Sequence, residues 1–445
     1  MEIFDCFFNI LEKVDDFFWS YIGFAVICLS GLYLTIKSRG KQFKVLYNFV
    51  NTLQDLMLSS KDESLDGIHP IKLLFASVGG MIGIGNIVGV VIAVTLGGPG
   101  SIIWMWVASM FGMLIKYSEI YLGVKHRVSD GNGSFNGGPM YYMQDVFKNK
   151  IWAKLSALLL CIYGVEVFQF LTLVDRFEST FSLNKELIIA VFLGIILYTS
   201  IGGMRRLSEI CSMIMPFFMI LYVIACFYII FSNYSFLPQA FYEIITSAFY
   251  GQAAVGGFAG STVLYAAYMG SSKAVYSGDI GIGYDSVVQS ETRVACAIKQ
   301  ARLAIIALFM DTFICTLSSL TVVVTGAWKT MNDISPSEII PTIFDSYFPY
   351  SNYFLTLVLF FAGFTTVIAF FVVGLKSAHF LCEKYGKILF YLYGIFAFVF
   401  FSYFSEEKVV LIMSVTSVFL VILNITAIML MRNEIRFNDE KSQGN

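Results

Sequence analysis

The sequence predicts an all-α integral membrane protein with eleven spanning helices. Three observations carry this: the composition, the recurrence of long apolar runs from end to end, and a one-sided placement of lysine and arginine. Of 445 residues, 57% are hydrophobic and only 13% charged, against roughly 25% charged in soluble domains. The mean hydropathy is +0.74. Length alone would allow about three soluble domains, but the apolar runs follow one another without a polar domain between them. One continuous membrane domain fits better.

The first run, Phe17 to Ile36, is long enough to cross a bilayer core of ~30 Å. Asp5, Glu12, Asp15 and Asp16 precede it where a signal peptide would have a basic start, so it reads as a spanning helix. Ten further runs follow, at 71–96, 101–124, 152–174, 186–204, 208–232, 241–269, 296–327, 352–375, 388–404 and 408–431. The 241–269 run is the least continuous. Between the first two runs, Leu46, Phe49, Val50, Leu53 and Met57 recur at helical spacing among polar residues, which predicts an amphipathic helix lying at the interface.

Orientation comes from the basic residues. With eleven spans, Lys13, Arg176, Lys185, Lys329 and Lys408 fall on one side. Lys116 lies within a helix, and all the rest of the 29 lysines and arginines fall on the other side. Cytoplasmic loops carry the excess of positive charge, so the N-terminus is expected outside and the C-terminus in the cytoplasm.

An internal repeat points to a site. Residues 76–83 read ASVGGMIG and residues 253–260 read AAVGGFAG. Glycine and alanine are common in membrane helices, so chance is the competing reading. The two copies lie in the second and seventh runs, five helices apart, and an odd spacing places them in opposite orientations. That is the requirement of a five-plus-five inverted repeat. The chain then divides into 1–70 (an extra N-terminal helix and the interfacial helix), 71–235 (first five-helix repeat), 236–431 (second, inverted repeat) and a cytoplasmic tail, 432–445.

A glycine costs a helix ~1 kcal/mol relative to alanine, and in lipid a broken backbone survives only where it is buried or lines a cavity. Gly79, Gly80, Gly83 and Gly85, followed by Asn86, therefore predict a helix break. Its freed N–H groups suit a carboxylate, and its freed carbonyls suit Na⁺ or an ammonium group. Asn86 adds a hard side-chain oxygen. A close helix crossing at small residues is the plainer alternative. Thr365 and Thr366 offer two hydroxyls for a Na⁺ shell, or bond back to their own helix. Gln169 serves a ligand or helix packing.

Charges inside apolar runs are costly and informative. Lys116 and Glu119, three apart on one helix face, read as a structural pair near the inner surface. Glu166 and Asp311 suit either ion coupling or an internal hydrogen-bond network. Asp279, Asp285 and Glu291 follow the seventh run and are placed in a cytoplasmic segment. The eight dispersed cysteines read as small packing residues, and His69, His126 and His379, all near helix ends, make no metal site. There is no GxxxxGK[ST] loop for ATP, no Ser-His-Asp arrangement, and no basic run that suggests nucleic acid.

The stretch GIGNIVGVVIAVTLGGPGSIIWMWVASMFGMLIKYSEIYLGVKHR (83–127) resembles the signature region of the alanine or glycine:cation symporter family, also called the sodium:alanine symporters. NGGPMYYM (136–143), IGGMRRLSEICSMIMPFFMILYV (201–223), AFYGQAAVGGFAGSTV (248–263), MDTFICT (310–316) and FAGFTTVIAFF (361–371) match in order, so the resemblance covers about residues 17 to 430. It implies eleven helices, no enzymatic activity, and uptake of alanine, glycine or a similar small neutral amino acid coupled to Na⁺. Substrate contacts fall on Gly80, Met81, Gly83, Gln169, Gly256, Gly257, Phe258 and Phe370. Sodium ligands fall on Gly79, Ile82, Asn86, Thr365 and Thr366. The implied partners are a small amino acid, a sodium ion as coupling ion and membrane lipid; the chain is expected to be a monomer in a prokaryotic inner membrane, without further cofactor.

Several positions depart from the family pattern. A Thr before the last glycine is Ile84, a Phe is Ile103, the asparagines near Gln169 are Glu166 and Leu171, SNEAG reads SGDIG at 277–281, and a pocket tryptophan is Phe370. The smaller ring at 370 is expected to leave more room. These changes bear on substrate identity and keep two alternatives open: a cation-coupled carrier for a larger or different amino acid, and a passive exchanger or channel.

Overall fold

The computed structural model describes residues 2–59, 66–131, 133–250, 263–331, 334, 336–404 and 406–438. The chain is helical almost throughout. Among the described residues the one sheet is a two-stranded ribbon, Val128–Ser129 against Phe135–Asn136. Among the described residues, seven helices are long and apolar enough to cross a bilayer: Cys6–Ser38, Ser101–Lys125, Ile151–Phe181, Gly203–Ser232, Ala297–Val324, Ser351–Leu381 and Lys408–Leu430. The pair Pro70–Met81 and Gly85–Gly97, bent by 52°, makes an eighth if taken as one span. The remaining predicted runs correspond to Lys185–Ile201 (17 residues), Gly386–Phe401 (16 residues) and the pair Leu237–Tyr250 and Val263–Gly278, which flank residues outside the described set.

The N-terminal helix begins well before the predicted Phe17 and takes a π-helical turn over Phe18–Gly23. It is anchored to the last helix, where Ser414 Oγ donates to Asp15 at 2.6 Å and accepts from Trp19 Nε1 at 3.3 Å. The predicted interfacial helix is two helices, Lys41–Tyr47 and Phe49–Ser59, split at Asn48. Asn48 leaves helical geometry (φ −102°, ψ 35°) while its side-chain amide bonds back to Lys44 O at 3.0 Å, the local competition that lets Asn interrupt helices. Within this segment Leu56 is buried, whereas Val50 and Met57 stay exposed, as the apolar face of an interfacial helix would.

Two helices form the centre. Ser101–Lys125 is buried without interruption from Gly112 to Val124, and it packs on Ala297–Val324, Val263–Gly278 and Phe24–Ser38. Ser351–Leu381 is buried from Ala362 to Leu375 and packs on Pro70–Met81, Gly203–Ser232 and both halves of Ile151–Phe181. Helices apolar on every face belong in such positions. Close approach at small residues replaces the hydrophobic drive that lipid cannot supply. A methyl group on Gly97 would stand 2.8 Å from Met269 Cβ, so the second half of the broken helix lies directly on Val263–Gly278.

The run predicted at 152–174 is longer and interrupted. It forms Ile151–Tyr163 and Val167–Phe181, separated by Gly164, Val165 and Glu166. Gly164 allows the approach of Ser351–Leu381, since a Cβ there would meet Gly374 Cα at 2.9 Å and Phe370 O at 3.0 Å. Glu166 has non-helical ψ (64°) and opens the second segment.

Candidate functional site

The glycine cluster breaks the helix between Met81 and Gly85. Ile82 leaves the helical region (ψ 87°), and the chain resumes as a π-helical turn over Gly85–Gly89. Every one of these residues is buried, so the freed backbone groups need partners inside the protein. Gly83 N–H donates to Asn86 Oδ1 at 3.1 Å, and Ile84 N–H donates to Gln169 Oε1 at 2.9 Å. Two amide oxygens thus face two adjacent backbone donors. Thr366 Oγ1 donates to Gly79 O at 3.0 Å, which ties Ser351–Leu381 to the first half of the broken helix. Asn86 Nδ2 donates in turn to Asp311 Oδ1 and, at 3.2 Å, to Cys315 Sγ. Ser277 Oγ donates to Asp311 Oδ2 at 3.3 Å.

These residues surround a cavity lined by Gly80, Met81, Gly85, Asn86, Glu166, Gln169, Tyr276, Ser277, Asp279, Thr366 and Phe370. Its volume is about 10 Å³, room for roughly one water. The space expected beside Phe370 is filled. The Phe370 ring stacks on Tyr284 with centroids 4.2 Å apart and meets the Tyr163 ring edge-on at 5.2 Å. Tyr284 is fixed by its hydroxyl, which donates to Ala76 O at 3.0 Å.

Six of the residues assigned to substrate or sodium line the cavity, Gly80, Met81, Asn86, Gln169, Thr366 and Phe370, and so do Gly85 of the predicted break and Glu166. Gly83 is adjoining, for a Cβ on it would stand 2.6 Å from Gln169 Nε2 and 2.7 Å from Thr366 Oγ1. Gly79 takes part through its carbonyl, and Ile82 is fully buried at the break. Thr365 is directed elsewhere. Its hydroxyl bonds to Phe361 O at 2.7 Å and Ala362 O at 2.9 Å and faces Met215 Sδ, because neighbouring residues on a helix point about 100° apart. Gly256, Gly257 and Phe258 lie outside the described residues.

Two sequence readings of charge need correction. Lys116 does not pair with Glu119. Its ammonium forms an ion pair with Asp285 at 2.8 Å, both side chains fully buried, and also donates to Gly278 O and to Met81 Sδ at 3.0 Å. Glu119 Oε1 instead accepts from Asn424 at 2.8 Å. Asp279, Asp285 and Glu291 are not in a solvated segment: they are 2%, 0% and 4% exposed. The chain after Val263–Gly278 turns inward through left-handed Asp279, Gly281 and Gly283 to the short helix Tyr284–Gln289. Tyr276, Ser277 and Asp279 also line the cavity, beyond the site residues expected from the sequence. The signal for them was the glycine-flanked acidic stretch SGDIG.

Loss of the Gln169 oxygen would strand the Ile84 N–H. Gln169→Leu, close in volume, is expected to destabilise the protein by about 1–3 kcal/mol, read as a lower thermal midpoint in detergent.

A broken, buried helix that lines a small cavity in a bundle of membrane-length helices fits a membrane transporter. The comparisons agree. The sodium:alanine symporter family model matches residues 4–440, and the chain belongs to that family. An uncharacterized transporter of Haemophilus influenzae is 34% identical over 72% of this chain and 71% of its own length. The sodium/alanine symporter AgcS of Methanococcus maripaludis is 26% identical over 85% of each chain. Among solved structures, MhsT in complex with L-phenylalanine superposes with a TM-score of 0.55 at 15% identity, covering 82% of this chain and 89% of that one. It shares the fold.

Proposed function

We propose that this chain is a secondary active symporter that imports a small neutral amino acid of the alanine or glycine type together with Na⁺. The observation that carries the reading is the pair of amide oxygens, Asn86 Oδ1 and Gln169 Oε1, facing the adjacent N–H groups of Gly83 and Ile84. Those two donors suit the two oxygens of an amino acid carboxylate, with the positive end of the half-helix behind them. The carbonyls of the break, with Asn86 and Thr366, suit Na⁺. In this reading the substrate ammonium meets the break's carbonyls and Gln169, with Gly80, Met81, Gly83 and Phe370 shaping the pocket beside residues 256–258. Gly79 and Ile82 contribute backbone oxygens to the ion, and Thr365 reaches it by a rotamer change. Ion binding favours the substrate-competent state, and five-helix repeats over 71–235 and 236–431 rock against each other. The basic residues orient the N-terminus outward, in eleven spans across a prokaryotic inner membrane.

The test is uptake of labelled alanine and glycine into liposomes holding the purified protein, with and without an inward Na⁺ gradient. Accumulation only with Na⁺ is expected. Equal uptake without Na⁺ would identify a passive exchanger or channel, and no uptake of either would identify a different amino acid as substrate. Asn86→Ala and Thr366→Ala are each expected to raise the half-saturating Na⁺ concentration roughly tenfold, the loss of one hydrogen-bonding ligand to a charge. Unchanged Na⁺ dependence in both would remove them from the ion site.

A further inference from the structure

Three polar atoms on the cavity wall have no hydrogen-bond partner among the described residues: Glu166 Oε2, Asp279 Oδ2 and Tyr276 Oη. Glu166 and Asp279 are each 2% exposed. They reach the cavity from different elements, Glu166 from the interruption of Ile151–Phe181 and Tyr276 and Asp279 from the end of Val263–Gly278. Asp279 does so in the left-handed region (φ 49°), which costs a non-glycine residue roughly 1 kcal/mol or more. Buried acid oxygens without hydrogen-bond partners are expensive. Two converging on one cavity, at a strained backbone position, mark a place built for a ligand.

The chemistry of that ligand follows from the neighbours. Asp311, also buried, is satisfied by Asn86 and Ser277. Lys116, the nearby base, has three acceptors for its three donors: Asp285, Gly278 O and Met81 Sδ. Two acids and a phenol thus face a space the size of one water. Hard oxygen atoms around so small a volume suit a compact cation.

We propose that Glu166, Asp279 and Tyr276 form a second cation subsite, on the same cavity as Asn86 and Thr366. A compact positive charge that enters with the substrate fills it, either a second Na⁺ or the α-ammonium of the amino acid. The subsite rests on the symport reading for its role in transport, but its charge preference stands on the geometry alone.

Two measurements on the full-length protein test it. In detergent, without any amino acid, the rise in Tm on replacing choline chloride by sodium chloride is compared for the wild type, Glu166→Gln and Tyr276→Phe. In liposomes, the KM for alanine and the Na⁺:alanine uptake ratio are compared for the same proteins. If Na⁺ is the occupant, Glu166→Gln loses at least half of the Na⁺-induced rise in Tm and lowers the uptake ratio. If the ammonium is the occupant, the Tm rise and ratio stay as in wild type while the KM for alanine rises roughly tenfold. Tyr276→Phe, which removes only a hydroxyl, moves the same quantity in the same direction by less. Wild-type Na⁺ stabilisation, KM and ratio in both variants overturn the proposal. A wild type that accumulates neither alanine nor glycine with Na⁺ overturns the symport reading instead; a Na⁺-induced rise in Tm that Glu166→Gln halves then still supports the subsite, and an equal Na⁺ response in all three proteins overturns Na⁺ as its occupant.

Discussion

Lys116→Met should destabilise the protein by about 3–5 kcal/mol, the usual cost of stripping one partner from a buried ion pair. For a chain of this size that is a fall of roughly 3–5 °C in the thermal midpoint in detergent. The side chain fits, since methionine follows nearly the same path. What is lost is charge. Asp285 is fully buried and 2.8 Å from the ammonium, and with Met at 116 it must either stay ionised without its partner or take up a proton. The ammonium also joins three elements, because it holds Met81 at the helix break and Gly278 O at the end of a second helix. Uptake should therefore fall further than stability alone accounts for. The decisive comparison is Lys116→Met with Asp285→Asn. Neutralising both partners removes the stranded charge, so the double variant should regain more than half of the lost stability, a coupling that only residues in contact show. If the single change lowers the midpoint by less than about 2 °C, the pair contributes little beyond packing. If the double variant is no better than the single, the cost lies in the contacts to Met81 and Gly278 rather than in the stranded acid.

That pair also shows where the sequence stops being legible. Spanning runs are local: twenty apolar residues announce themselves by length and composition, so the long helices fall close to where they are expected. The break at Met81–Gly85 is local too, since four glycines in seven residues weaken a helix whatever surrounds it. Partnerships are not local. Lys116 sits three residues from Glu119, and spacing alone favours that pair, but the chain after Gly278 folds back and delivers Asp285. The same return carries Asp279 to the cavity wall, although the stretch read as a polar loop after a spanning helix. The interruption at Gly164–Glu166 was hidden for a related reason. Gly164, Val165 and Glu166 stand in an otherwise continuous apolar run, and only the close crossing of Ser351–Leu381 explains why the helix opens there. Thr365 and Thr366 are indistinguishable as a dipeptide. In the structure Thr366 faces the break while Thr365 bonds back to its own helix, and which one does so depends on how the helix is rotated in the bundle.

Gly80→Ala should reduce uptake by at least roughly tenfold, while Gly89→Ala on the same broken helix should leave it near wild type. Both glycines have negative φ, so the backbone accepts alanine at either place, and helix propensity favours alanine at both. The difference is in what the new methyl group meets. At Gly89 nothing lies within 4 Å. At Gly80 the methyl would overlap the Tyr284 hydroxyl and stand 2.7 Å from Cε1 of the ring. That ring has little freedom to retreat, as it is fully buried, bonded to Ala76 O and stacked on Phe370. Overpacking at such a place typically costs about 1–3 kcal/mol. Relief requires Tyr284 to move against Phe370, which lines the cavity with Gln169 and Thr366. The substrate side of the cavity would therefore be deformed even in a protein that still folds. Uptake into liposomes, read beside the thermal midpoint of each variant, separates the two effects. A Gly80→Ala protein that folds but no longer accumulates amino acid ties the Tyr284–Phe370 stack to the transport site. A Gly80→Ala protein with normal uptake would mean that the stack yields during the cycle and that Gly80 is small only to let two helices cross.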